Sequence, residues 1–237
     1  MTVARTSPAR LTVINKDDVV EILLYGQIGA DPWFGDGITA KEFRGEVKKA
    51  KGKAINLRVN SPGGSVFEGA AMKATLDEYP GEVIVDVDGL AASAASFLIM
   101  GADTIRVASN AMLMIHDPHT VALGGAEELR RVAETLDKVK GQILDAYAGR
   151  AGTATDRDVL ARWMAEEKWL TGQEAVEAGL ADEATKAVSV AAFAGQAELL
   201  ARFGYRRVPG LPAAETAQTD PRLLEETRRR MEIAARL

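Results

Sequence analysis

Cysteine is absent from this chain of 237 residues, which excludes disulfide bonds, zinc–thiolate sites and cysteine nucleophiles. Only two histidines occur, His116 and His119, so any chemistry that needs an imidazole must use one of them. No apolar run approaches the length of a membrane span, and the N-terminal stretch MTVARTSPAR lacks the apolar core of a signal peptide. These absences predict a soluble protein of a reducing cytoplasm, without membrane contact.

Excess positive charge is also lacking. The formal net charge is −5 and the sequence pI is about 5.3, so nucleic acid is not predicted as the main ligand. The length suits one large domain with appendages. We expect a flexible arm over residues 1–10, a domain over residues 11–205, and a linker with a short charged helix over residues 206–237, because the stretch RRVPGLPAAETAQTDP is rich in Pro, Ala and Thr.

The main part of the chain alternates strand and helix patterns, which predicts an α/β domain with a largely parallel sheet. Strands are predicted over residues 55–59, 82–89, 104–108 and 111–116. Helices are predicted after Thr39, after the glycines at 63 and 64 as far as about residue 78, over residues 125–149, and after caps at Thr155 and Thr171.

The stretch INLRVNSPGGSVFEG leaves a strand through Pro62, Gly63 and Gly64 and enters a helix directly. A turn needs one glycine at most, so two in succession indicate that the backbone comes close to another group. Such a turn can direct an N–H group into a pocket or pair with an extended peptide. A plain tight turn is the alternative interpretation.

Ser93 lies in the small-residue run GLAASAASF, between a predicted strand and a predicted helix. A serine on such a sharp turn is exposed as in a nucleophile elbow, and the N–H groups of the following helix favour an oxyanion. Close packing of the helix on the sheet would also explain this run of small residues.

His116 ends the apolar strand MLMIH. It could be a hydrogen-bonded histidine at a strand end or, together with Asp117 and His119, a metal ligand. Pro118 breaks the helical geometry that H-x-x-H spacing requires, so no metal site is predicted.

Four motifs occur in order: NSPGGSVFEG, GLAASAASFLIMGA, AMLMIHDPH and WLTGQEAVEAGLAD. Together they resemble the proteolytic subunit family of Clp proteases over about residues 20–185. The stretch LYGQIG and the letters SVFEG after the glycines are most similar to the Clp-related head maturation proteases of tailed phages. The resemblance implies a crotonase-like fold of repeated β-β-α units and a serine endopeptidase with a Ser-His-acid triad.

Position by position, the resemblance assigns the nucleophile to Ser93 and the general base to His116. In the motif that contains Ser93, Leu90 stands at the position of the family's glutamine. The oxyanion hole would be formed by the N–H groups of Gly64 and Ala94. A substrate groove is expected at three residues of the glycine turn, of which the first two would shape the turn: Pro62, Gly63 and Ser65.

The triad acid is where this chain departs from the family. Counting back from Trp169 and Leu170 puts Glu167 at the position of the family's aspartate, and Glu166 is the alternative. Either carboxylate can orient an imidazole. Asp103 and Asp117 lie nearer in sequence to the other two residues but do not match the motif.

The family resemblance implies a protein or peptide substrate, a homo-oligomeric ring packed through the long helix over residues 125–149, and no cofactor or metal. A phage enzyme would work in the host cytoplasm on capsid or scaffold protein, whereas a housekeeping subunit would depend on a Clp-type ATPase. Two further alternatives are an acyl-CoA hydratase or isomerase of the same fold and a catalytically silent oligomeric scaffold.

Overall fold

The computed structural model describes residues 10–15, 18–30, 37–188, 200, 205 and 209, and within these residues eight strands form one sheet. The strands are β1 (Arg10–Asn15), β2 (Val19–Tyr25), β3 (Ala54–Ser61), β4 (Val83–Ala92), β5 (Thr104–Ala108), β6 (Met112–Ile115), β7 (Lys168–Thr171) and β8 (Glu183–Thr185). The helices are α1 (Ala40–Lys49), α2 (Val66–Asp77), α3 (Ala94–Leu98), α4 (Ala126–Ala151), α5 (Arg157–Glu166) and α6 (Gly172–Glu177).

The sheet has the order β1-β2-β3-β4-β5-β8 and is parallel except at its β1 edge, where β1 and β2 are antiparallel. Alternate residues of β2 are buried, which is the pattern of a strand with one face on the core. The same core side is lined by Val, Leu and Ile from β3 and β4, and helices α1 and α2 pack against it through Phe43 and Met72.

A branch of the sheet carries the features that matter for chemistry. Strand β6 pairs in parallel with the last residues of β4, from Leu90 to Ala92, and β7 pairs with β6 in antiparallel fashion. The carboxyl ends of β3, β4 and β6 therefore lie side by side, where ligands bind in open α/β sheets. The residues that follow these three ends are Pro62, Ser93 and His116.

Most predicted elements are present, with three corrections. Strand β7 is absent from the sequence prediction, which has only the two capped helices in this part of the chain. The N-cap of α5 is Asp156 rather than Thr155, whose hydroxyl donates instead to the Ala178 carbonyl over 2.9 Å. Strand β4 continues to Ala92, beyond the predicted end at residue 89.

Thr39 and Thr171 are N-caps as predicted, each in a capping box with the glutamate three residues later. Apart from Arg10, which begins β1, and Pro209, the predicted arm over residues 1–10 and the predicted tail over residues 206–237 lie outside the described residues. Within the described part of the chain, no helix has the length and apolar character needed to cross a bilayer.

Candidate active site

Ser93 occupies a strained turn between β4 and α3. Its backbone has φ 55° and ψ −123°, a conformation that residues other than glycine rarely adopt and that the surrounding structure must hold in place. The surroundings are the small buried residues Ala91, Ala92, Ala94 and Ala95, together with a bond from the Ser93 N–H to the Met114 carbonyl at 3.0 Å. The turn leaves the Ser93 side chain on the wall of a cavity.

His116 follows β6 and lies beside this serine. Its Nε2 is 2.7 Å from Ser93 Oγ. Burial of the imidazole, and to a smaller extent the charge of His119, lowers the pKa of His116 to about 3. The ring is therefore neutral near pH 7, so that Nε2 can accept the serine proton when Nδ1 carries the ring hydrogen.

The glycine turn presents an N–H group on the same cavity. The Ile28 N–H donates to the Gly63 carbonyl over 2.8 Å, and the Ser65 N–H donates to the Ile28 carbonyl over 2.9 Å. Because the Gly63 carbonyl and the Gly64 N–H belong to one trans peptide group, the Gly64 N–H points away from Ile28. Gly64 itself lines the cavity.

A second N–H group comes from Ala94, the first residue of α3, which has no carbonyl one turn earlier in its own helix to accept its hydrogen. The two turns are in direct contact. A Cβ atom on Gly63 would lie 2.5 Å from the Ala92 carbonyl oxygen and 2.8 Å from Ser93 Cβ, so only glycine fits there. Gly64 and Ala94 thus border the cavity on either side of this contact, next to the nucleophile candidate.

A buried hydrogen-bond network supports the serine turn from below. Ser96 Oγ lies 2.8 Å from the Ser93 carbonyl oxygen, 2.7 Å from the Met114 carbonyl oxygen and 2.8 Å from the Tyr147 hydroxyl. The network ties α3, β6 and α4 together. Sequence reasoning missed Ser96 and Tyr147, although a serine inside a fully apolar helix is a signal that it bonds something buried.

The predicted acid, Glu167, lies on the base side of the site. The β6–β7 register ends with Ile115 opposite Lys168, and His116 and Glu167 adjoin that last pair. Its Oε1 accepts a hydrogen bond from Trp169 Nε1 at 3.3 Å. Among the described residues, His116 is hydrogen-bonded to Ser93 and to no carboxylate.

The other carboxylates considered for the triad have different surroundings. Glu166 is exposed at the end of α5. Asp117 forms an ion pair with Lys140 at 2.7 Å, and Asp103 accepts from the Val83 N–H at 2.7 Å. The described residues contain no group of three or more His, Cys, Asp or Glu side chains that could hold a metal ion.

The cavity that contains Ser93 and His116 has a volume of about 530 Å³. One wall is apolar and comes mainly from α4, through Val132, Leu136, Val139 and Ile143. Ser65 lines the cavity, whereas Pro62 and Gly63 are buried in the turn before it and lie outside the lining. The substrate groove at these three residues stays a prediction.

Sequence reasoning also missed Tyr205, which lies in this site although it is distant in sequence. Its hydroxyl donates to the Pro62 carbonyl over 2.5 Å, and its ring meets that of His116 edge-on, with centroids 5.3 Å apart. Burial raises the pKa of Tyr205 well above its usual range. A hydrogen bond between the Tyr205 and Ser93 side chains lowers this pKa, and the charge of Glu167 raises it further. No pattern around residue 205 indicated this placement.

The chain is similar to known proteins in sequence and in structure. A family model described as Clp protease matches residues 46–187. An ATP-dependent Clp protease proteolytic subunit of Bacteroides fragilis is 35% identical over 136 residues, which are 56% of this chain and 64% of the relative. The same subunit of Bacteroides thetaiotaomicron is also 35% identical over 136 residues, 56% of this chain and 60% of the relative.

The chain thus spans less than two thirds of the length of these curated relatives. A solved ClpP1 mutant from Listeria monocytogenes has a TM-score of 0.60 at 20% identity, covering 70% of this chain and 91% of its own. This structural likeness confirms the predicted crotonase/ClpP-like α/β fold. Because the family model matches more than half of the sequence and includes the turns that carry Gly64, Ser93 and His116, the chain belongs to the Clp protease family.

Proposed function

We propose that this protein is a serine endopeptidase in which Ser93 is the nucleophile and His116 the general base. The single observation that carries the proposal is the 2.7 Å contact between His116 Nε2 and Ser93 Oγ on the wall of the cavity. The N–H groups of Gly64 and Ala94 border the same cavity and would hold the oxyanion. The match to the Clp protease family gives independent support.

The chemical steps follow from these positions. His116 Nε2 accepts the proton of Ser93 Oγ while Oγ forms a bond to the carbonyl carbon of the scissile peptide, whose oxygen becomes an oxyanion. The imidazolium then gives its proton to the leaving amine as the C–N bond breaks. Water, deprotonated by the same imidazole, attacks the acyl-enzyme and releases the second product, with the proton returned to Ser93.

An acyl-CoA hydratase or isomerase is the competing activity for this fold, and it requires a carboxylate near the oxyanion hole. Among the described residues, the lining of the cavity includes no Asp or Glu. A silent scaffold is the second competitor, but packing alone requires neither the strained backbone of Ser93 nor a histidine in contact with its hydroxyl. Both observations favour the peptidase.

The test is reaction of the full-length protein with a fluorophosphonate probe, followed by intact mass. One adduct is expected on the wild type and on Ser109→Ala, a variant of an exposed serine in the β5–β6 turn. No adduct is expected on Ser93→Ala. Labelling of Ser93→Ala, or an unlabelled wild type in its assembled form, would contradict the proposal.

For the biological role we propose processing of capsid or scaffold protein during phage head maturation, in the host cytoplasm. The stretches LYGQIG and SVFEG support this role through their resemblance to head maturation proteases. The names of the curated relatives favour the alternative, an ATP-dependent housekeeping subunit. Casein digestion with and without a Clp-type ATPase separates the two, since only the housekeeping role requires the ATPase.

We also propose that the protein works as a homo-oligomeric ring. Five large apolar side chains are exposed in the described part of the chain, and three of them lie just before or within the first turn of α4: Val121, Leu123 and Leu129. An exposed apolar patch of this kind marks a protein contact. Family resemblance assigns the contact to a second copy of the chain.

A further inference from the structure

We propose that Tyr205 is a positioning residue of the active site, whose hydroxyl fixes the peptide group next to the one that carries the Gly64 N–H. The inference rests on the proposed function, because it assigns Tyr205 a part in stabilising the oxyanion. Tyr205 lies beyond the residues that the Clp protease family model matches, which end at residue 187. The chain thus adds to the site a group that the family match does not include.

The glycine turn has little conformational restraint of its own. Gly63 has φ +90° and Gly64 has φ +142°, and neither residue has a side chain that would restrict its backbone. A peptide group between flexible residues can rotate and carry its N–H away from the cavity. An oxyanion hole works only if its donors are fixed before the reaction, so this turn needs bonds from outside.

The outside bonds occupy both peptide groups of the turn. The Gly63–Gly64 peptide is held at its carbonyl by the Ile28 N–H, at 2.8 Å. The preceding Pro62–Gly63 peptide is held at both ends: the Gly63 N–H donates to Ser61 Oγ over 3.1 Å, and the Pro62 carbonyl accepts from the Tyr205 hydroxyl at 2.5 Å. Tyr205 therefore supplies the one side-chain donor among these bonds.

Tyr205 can hold this position because its own ring is fixed. Its side chain is buried, with 5% of the residue exposed, in a small apolar cluster with Leu90, Ala92 and Met114 on β4 and β6. The ring also stands edge-on to His116 and, at 6.3 Å between centroids, to Trp169. The same side chain thus contacts the base and the turn that would bind the oxyanion, and its hydroxyl is also hydrogen-bonded to Ser93.

The bond belongs to the working site rather than to a plug. Ser93, His116, Gly64 and Tyr205 all line the same cavity of about 530 Å³, so the tyrosine forms part of its wall while the serine stays on its surface. Removing the hydroxyl is therefore expected to slow the reaction.

The experiment uses the full-length protein and the variant Tyr205→Phe, which removes the hydroxyl and keeps the ring. Losing the hydrogen bond to the turn, together with the one to Ser93, should lower kcat for a fluorogenic peptide amide, and the rate of fluorophosphonate labelling, by about 3- to 10-fold, with KM changed less than about twofold. Affinity for a peptide boronate, which places an oxygen in the oxyanion hole, should fall by the same factor as kcat/KM.

The matched control is Tyr79→Phe, because the Tyr79 hydroxyl also donates to a backbone carbonyl, that of Lys53 at 2.6 Å, away from the cavity. Its kinetics should equal those of the wild type. Ser61→Ala removes the acceptor at the other end of the Pro62–Gly63 peptide and should give a loss of the same kind. The double variant should lose less than the product of the single losses, since both act on one peptide group.

Three results would overturn the inference while leaving the peptidase intact. Unchanged kinetics in Tyr205→Phe would remove the hydroxyl from the mechanism, faster turnover would make the contact inhibitory, and a raised KM at constant kcat would make it a substrate contact. If Tyr205→Phe unfolds, Ser61→Ala alone is the test of the inference. Wild-type kinetics of Ser61→Ala would then overturn it. An unlabelled wild type would overturn the proposed function, and this inference with it.

Discussion

At the scale of single residues, the base of the proposed reaction is a partly buried, neutral imidazole. Burial, with a smaller contribution from His119, lowers the pKa of His116 to about 3, against an ordinary value of about 6.5. The imidazole stops acting as a base only when the pH falls through its pKa and the ring becomes protonated. We therefore expect fluorophosphonate labelling of Ser93 to keep most of its rate from about pH 8 down to about pH 5, measured as a rate constant at each pH.

A labelling rate that falls with a midpoint near pH 7 would contradict this prediction. It would mean that a carboxylate pairs with His116 in the working enzyme and raises its pKa, because an opposite charge stabilises the imidazolium. Thermal unfolding at each pH is the control, since a falling rate in a partly unfolded sample has no bearing on the base.

The role of Glu167 is the second prediction at this scale. Glu167 and His116 adjoin the last pair of the β6–β7 register, yet the described hydrogen bond of Glu167 goes to Trp169. Its charge can still support the imidazolium through space. We expect Glu167→Gln to lower kcat by about tenfold, corresponding to about 1.4 kcal/mol, whereas Ser93→Ala should remove about six orders of magnitude.

Glu166→Gln is the matched control for that measurement, because the neighbouring carboxylate is exposed at the end of α5. Its kcat should equal the wild-type value. Equal activity of Glu167→Gln and the wild type would remove Glu167 from the site, and a loss confined to Glu166→Gln would move the acid by one residue.

At the scale of elements, the contact between the β3–α2 turn and the β4–α3 turn decides whether the site forms. Gly63 has φ +90°, and a Cβ atom there would lie 2.5 Å from the Ala92 carbonyl oxygen. Gly63→Ala should therefore lower the free energy of unfolding by roughly 2–4 kcal/mol, from backbone strain and overpacking together. Denaturant unfolding measures the loss, and labelling of Ser93 should fall with it.

Gly45→Ala is the control for this substitution. Gly45 lies inside α1, and an added Cβ atom would meet no other atom within 4 Å. Alanine is the better helix former, so the free energy of unfolding should rise by about 0.5–1 kcal/mol. If Gly63→Ala were as stable as the wild type, the two turns would not need their close contact.

Much of the fold could be predicted from the sequence because its strands and helices carry strong local patterns. Thr39 and Thr171 cap helices as expected, since capping depends on residues within one turn. Strand β7 could not be predicted, because its four residues are extended only through pairing with β6. That pairing is a tertiary interaction, which overrides local propensity.

The candidate site likewise has some residues that the sequence predicts and others that it does not. The resemblance to the Clp protease family assigns roles to Ser93 and His116, and the parallel pairing of β4 with β6 explains why residues 23 positions apart are in contact. The Ser96–Tyr147 bond and the Tyr205–Pro62 bond join residues 51 and 143 positions apart. No local pattern encodes contacts at such separations, so these residues emerged only from the folded structure.

At the scale of the whole molecule, α4 links the site to the proposed ring. Its C-terminal half packs on the core through Val139, Ile143 and Tyr147, and these residues also line the cavity. Its N-terminal half is exposed, and Leu129 keeps 42% of its surface in solvent. One helix therefore supplies both a wall of the substrate cavity and an apolar surface for association.

The last prediction tests that surface. A charge at Leu129 would have to be buried without a partner in a ring contact, which is costly, so Leu129→Glu should shift the protein to a smaller species in light scattering after size exclusion. Ile14→Glu is the matched control, because Ile14 has the same 42% exposure but lies on β1. Its mass should equal that of the wild type. Equal masses for all three proteins would exclude α4 from the contact, and a monomeric wild type would contradict the ring itself.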